Sequence, residues 1–201
     1  IFKRLMQLNE SIKLFLDEQQ HALNFFQKNT IEINQICKRL VTARNKGKKI
    51  FAMGNGGSGS TASHFISDLL KTAIIKNEKR FKAMSLVDNI PVILAWSNDK
   101  SYDDIFIEQL KNHFSKGDIL IGFSGSGNSK NILKALKFGK DNGGYCVGFT
   151  GKSGGKMEFF SDICLKSPTK DMLAIEAQHL MLCHCIISSL RNLGTPLFKY
   201  E

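Results

Sequence analysis

Lys49-Ile-Phe-Ala-Met-Gly-Asn-Gly-Gly-Ser58 and Asp118-Ile-Leu-Ile-Gly-Phe-Ser-Gly-Ser-Gly-Asn-Ser129 decide the fold. Each opens with a short apolar run of the kind found in strands buried on both faces. Each run ends in a glycine- and serine-rich turn, and a helical pattern follows: about 59–73 after the first, 130–138 after the second. A strand that passes through a glycine turn into a helix is half of a parallel β-α-β unit. Working outward, Ala83–Val87, Tyr145–Phe149 and Asp162–Leu165 read as further strands, and Asp171–Leu193 as a long closing helix. Strands alternating with helices predict an α/β fold, a three-layer α/β/α sandwich around a mainly parallel five-stranded sheet of flavodoxin-like type.

Upstream, Leu5, Leu8, Ile12, Phe15, Leu16, Leu23 and Phe26 suit one long amphipathic helix. Asn29-Thr-Ile-Glu32 reads as the capping box of a second helix, and Gly47 marks its end. This divides the chain into a helical pair, residues 1–47, suited to oligomerisation, and an α/β domain, residues 48–201. The apolar faces of the pair call for a cover, and a helix of another subunit supplies one.

The chain has 201 residues, 42% hydrophobic and 23% charged, which argues against disorder. Its apolar runs read as short of a membrane span. Five cysteines, an odd number with no CxxC, argue against a disulfide framework and for a reducing, cytoplasmic location. Cys183 and Cys185 flank His184 but diverge on a helix, so both read as core residues rather than ligands. The net charge of +10 would attract nucleic acid. The lysines are scattered and no DNA-binding motif is present, so direct nucleic-acid binding is not expected. Glu108 and Glu158 read as solvated residues.

The two turns carry the functional signal. A phosphate needs converging N–H and O–H donors. Glycines let the backbone approach, and the start of the next helix offers free amides and a favourable dipole. The cradle residues are Asn55, Gly56, Gly57 and Ser58 in the first turn, and Ser124, Gly125, Ser126 and Ser129 in the second. Gly54–Gly59 also fits the bare GxGxxG of a dinucleotide fingerprint. That motif needs an acidic residue about 20 positions on, and Asp88 lies too far along. No Walker A loop occurs.

His64 and Asp68 stand four residues apart, on one face of the predicted helix, where both could reach one divalent ion. In order along the chain come Gly54–Ser58, His64-Phe65, Asn98-Asp99, Ser124–Ser129 and Thr150-Gly-Lys-x-Gly-Gly155. In this series the chain resembles the sugar-isomerase (SIS) domain family, above all its phosphoheptose isomerase branch.

The resemblance implies an aldose–ketose isomerase acting on sedoheptulose 7-phosphate through an enediol. The product would be D-glycero-D-manno-heptose 7-phosphate, for lipopolysaccharide heptose. It implies a homotetramer with zinc in at least some members. It assigns phosphate contacts to Ser58, Ser124, Ser126 and Ser129, and places Asn55, Asn98, Asp99 and Glu176 at the sugar. Asp68 and His184 become the catalytic pair, and His64, Asp68, Glu176 and His184 the metal set. The chain departs from the family by having Asp68 for a Glu, Glu176 for a Gln, Lys71-Thr72-Ala73 for a Gly-Arg-aromatic segment, and no Asp-Arg pair before Glu176. The lost pair and the ending Leu193–Phe198 resemble a second, non-catalytic branch, a tetramer that binds the DnaA replication initiator. The retained Asp68 and His184 favour the isomerase over that alternative.

Overall fold

The computed structural model describes residues 2–198, with side chains from Met6 onward. The side chain of Leu5 and residues 199–201 therefore lie outside the described residues. The strands are β1 (Lys49–Gly54), β2 (Lys82–Ser85), β3 (Ile119–Ser124), β4 (Tyr145–Thr150) and β5 (Ile163–Lys166). All pair in parallel, in the order β2-β1-β3-β4-β5. The helices are α1 (Phe2–Lys28), α2 (Ile31–Asn45), α3 (Gly57–Leu70), α4 (Ile90–Asp99), α5 (Ile105–His113), α6 (Lys130–Asp141), α7 (Met157–Phe160) and α8 (Met172–Arg191). A 3-10 turn, Tyr102–Asp104, precedes α5.

The three central strands, β1, β3 and β4, are buried on both faces, and their side chains alternate between two cores. Ile50, Ala52, Ile121 and Phe123 join a core with α2, α3 and α8. Phe51, Met53 and Leu120 join a second core with α5 and α6. Ala22 and Phe26 of α1 enter the first core. The amino-terminal part of α1 leaves Leu8, Ile12, Phe15 and Leu16 exposed.

The strand order positions the site. From β1 the chain crosses to β2 on one side. From β3 it proceeds to β4 and β5 on the other. The carboxyl ends of β1 and β3 therefore flank the switch point, where open α/β sheets form a crevice. Both Gly/Ser turns leave the sheet there, with Gly54 in register with Phe123.

Four readings of the sequence are corrected. The capping box does not form. Thr30, not Asn29, is the N-cap of α2, and it makes no side-chain cap bond. Asn29 Nδ2 instead donates to the Phe25 carbonyl at 2.7 Å, closing the end of α1. Cys185 is exposed, while Cys183 is buried. Glu108 is buried beneath Lys100 and Lys111, whose Nζ atoms lie 2.5 and 2.8 Å from its Oε1. Finally, α8 is long and apolar enough to cross a membrane by length and composition, although half of that stretch is buried inside the protein.

Candidate active site

The second turn gathers three hydroxyls. Ser124 Oγ lies 3.1 Å from Ser129 Oγ and 3.5 Å from Ser126 Oγ. Ser129 is the N-cap of α6 but makes no side-chain cap bond. The amides of Lys130 and Asn131, which open α6, therefore have no side-chain cap and suit an anion. The Thr150–Gly155 segment buttresses this turn. Gly151 N–H donates to the Gly125 carbonyl, and Met157 N–H to that of Gly127, both at 2.9 Å. Lys156 N–H donates to Asn128 Oδ1 at 3.1 Å.

The first turn starts α3 two residues earlier than the sequence pattern suggested, at Gly57. Ser58 is buried in its first turn. Gly56, the N-cap, has φ of +54°, a conformation that a side chain would strain. Asn55 is tied across the crevice to Asn131 of α6. Asn55 Nδ2 donates to Asn131 Oδ1 at 3.0 Å, and Asn131 Nδ2 returns a bond to Asn55 Oδ1 at 2.9 Å. Tyr102 Oη donates to the same Asn55 oxygen at 2.9 Å.

Helix α8 spans both turns. A Cβ built on Gly125 would meet Met172 Sδ at 2.3 Å, and one on Gly57 would meet Glu176 Oε2 at 2.2 Å. Glu176 thus leans on the start of α3. It shares a cleft of about 350 Å³ with Gly57, Ser60 and His64. Two turns further along α8, His184 reaches the middle of α3. His184 Nε2 lies 3.1 Å from His64 Nε2 and 3.7 Å from Asp68 Oδ2, and His64 Nε2 lies 3.5 Å from that oxygen. Thr72 Oγ1 donates to Asp68 Oδ1 at 2.8 Å, so a residue of the departing Lys71-Thr72-Ala73 segment orients this carboxylate.

His64, Asp68 and His184 each offer one ligand atom, all within 4.8 Å of one another. Two imidazole nitrogens facing each other suit a cation, which would take both lone pairs, and two nitrogens with one oxygen form an acceptable zinc set. Glu176, expected as a fourth ligand, falls outside this group among the described residues. Both histidines are about half exposed, and Asp68 is mostly buried. A different histidine, His179, is fully buried and bonded to the Thr150 carbonyl. Burial pushes its pKa down to about 4, so it is a neutral core residue behind the site.

Asn98 and Asp99 stand at the carboxyl end of α4 instead of lying in a loop, are exposed, and bond each other at 2.8 Å. Neither side chain bonds a cradle residue among the described residues. Sequence reasoning missed Asn131, Tyr102 and Thr72. A signal existed for Asn131, since Asn is a poor helix former. For the other two there was none.

A model of the SIS domain matches residues 15–151. The chain belongs to the SIS domain family. It is 36% identical over 182 residues to a phosphoheptose isomerase from Aliarcobacter butzleri, covering 90% of this chain and 95% of that protein. It is 35% identical over 187 residues to one from Helicobacter pylori, covering 92% and 91%. Among solved structures, a phosphoheptose isomerase from Neisseria gonorrhoeae superposes with a TM-score of 0.84 at 26% identity, covering 92% of this chain and 99% of that one. The SIS fold expected from the motifs is confirmed. These relatives support the isomerase branch and not the initiator-binding one.

Proposed function

We propose that the chain is an aldose–ketose sugar-phosphate isomerase of the phosphoheptose isomerase type, converting sedoheptulose 7-phosphate to D-glycero-D-manno-heptose 7-phosphate. The observation that carries this reading is α8 itself. One helix leans on both phosphate turns and brings His184 to His64 and Asp68.

In this reading the substrate phosphate sits among Ser124, Ser126 and Ser129, with Ser58 at the facing turn. Isomerisation moves one proton between C1 and C2 and another between their oxygens, through an enediol. Asp68 and His184 are the candidate carriers. Asp68 has one oxygen bonded to Thr72 and the other directed at the histidines. Zinc fits the His64–Asp68–His184 donors and, when bound, would polarise the substrate's oxygens. Glu176 stands close enough to the cleft to contact the sugar.

A homotetramer completes the reading. The half-exposed histidines and the uncovered apolar side chains of α1 both call for a neighbouring subunit. The five cysteines are free thiols, which suits the cytoplasm.

The test is turnover in D₂O with zinc added. The aldose phosphate should form carrying solvent deuterium at C2, the mark of an enediol. No product from any of a panel of ketose phosphates, with or without zinc, would refute the proposal.

A further inference from the structure

Asn55 is the one side chain of the first turn that reaches both the crevice and α6, and its hydrogen bonds can be counted. The amide orientations follow from a main-chain group. Ile132 N–H can only donate, and it meets Asn131 Oδ1 at 2.9 Å. The other terminal atom of Asn131 must then be its nitrogen, and the atom it meets on Asn55 must be the oxygen. Asn55 Oδ1 also accepts from Tyr102 Oη, so both of its lone pairs are used. Asn55 Nδ2 gives one hydrogen to Asn131. What remains is a single N–H.

Asn55 lines a cleft of about 360 Å³ with Gly54, Gly56, Ser60 and Tyr102. Its partner Asn131 is 2% exposed and stands two residues beyond Ser129 of the phosphate cradle. We propose that Asn131 and Tyr102 are positioning residues that consume every other hydrogen-bonding group of the Asn55 side chain, so that it presents one N–H donor to an oxygen at the phosphate end of the substrate. The proposal rests on the sugar-phosphate reading of the cradle. It also makes the two turns one unit, because the Asn55–Asn131 pair links the end of β1 to the start of α6. An acceptor at the non-reacting end is bonded alike in the ground and transition states. Its loss raises KM and leaves kcat nearly unchanged.

Two variants test this. Tyr102→Phe removes one bond from an exposed residue and leaves the core alone. Asn131→Asp keeps the acceptor for Ile132 N–H and sets a second oxygen against Asn55 Oδ1. Calorimetric Kd for sedoheptulose 7-phosphate should rise roughly 3- to 10-fold in Tyr102→Phe, the loss of about one neutral hydrogen bond. It should rise by more than 10-fold or so in Asn131→Asp, where the remaining amide is also misdirected. KM should follow Kd, with kcat within about twofold of the parent. The Asn55 side-chain amide signals, identified by their loss in Asn55→Asp, should shift in both variants. Unchanged Kd in Tyr102→Phe, unmoved Asn55 signals, or a loss confined to kcat would each overturn the assignment. A parent protein without turnover that still shows this Kd pattern would refute the isomerase reading and leave the positioning role standing.

Discussion

Replacing His184 with alanine is expected to lower turnover of sedoheptulose 7-phosphate by about 10³-fold, since a positioned acid or base contributes on the order of 10² to 10⁴. The argument begins with exposure. His184 is about half exposed, so the substitution removes little buried surface and the melting temperature should hold. Its Nε2, however, faces both His64 and Asp68, at 3.1 and 3.7 Å. Alanine takes away one proposed proton carrier and one of the three atoms that could hold a cation. Bound zinc, measured on the purified variant, should fall with the activity. A variant that keeps parental kcat and melts at the parental temperature would remove His184 from the chemistry.

Gly127→Ala is expected to unfold the second turn and destabilise the protein by about 2–4 kcal/mol, the range of severe backbone and overpacking defects. Gly127 has φ of +66°, and a Cβ there would lie 2.1 Å from the Gly154 carbonyl oxygen and 2.7 Å from its carbon. Both neighbours are main chain and cannot rotate away. Relief would have to separate Ser124–Ser129 from the Gly151–Gly155 segment that buttresses it. Thermal or urea unfolding measures the loss. A variant within about 0.5 kcal/mol of the parent, the scatter of neutral surface changes, would show that the two segments are not packed as described.

The fold was legible because its signals are local. Buried runs such as Ile50–Met53 and Ile119–Phe123 end at glycines, and parallel pairing follows from the alternation of strand and helix. Two of the three residues of the ligand cluster were legible for the same reason, since His64 and Asp68 share a helix face at a spacing of four. His184 lies 120 residues from His64, and only a family likeness could pair them. The tie between Asn55 and Asn131 spans 76 residues and is a product of the switch point. The capping box failed because the Phe25 carbonyl offered Asn29 a bond within its own helix. Cys185 and Glu108 were misplaced because composition does not reveal which face of a helix meets the sheet, or that two half-exposed lysines will cover a carboxylate.

Everything rests on the serine turn after β3 holding a phosphate. Calorimetry of Ser126→Ala with sedoheptulose 7-phosphate, beside the parent, probes that contact, because Ser126 is exposed and its loss leaves the core intact. Affinity should fall roughly 10-fold, the value of one hydroxyl bonded to a charged group, at an unaltered melting temperature. Parental affinity in a folded Ser126→Ala protein would contradict the account.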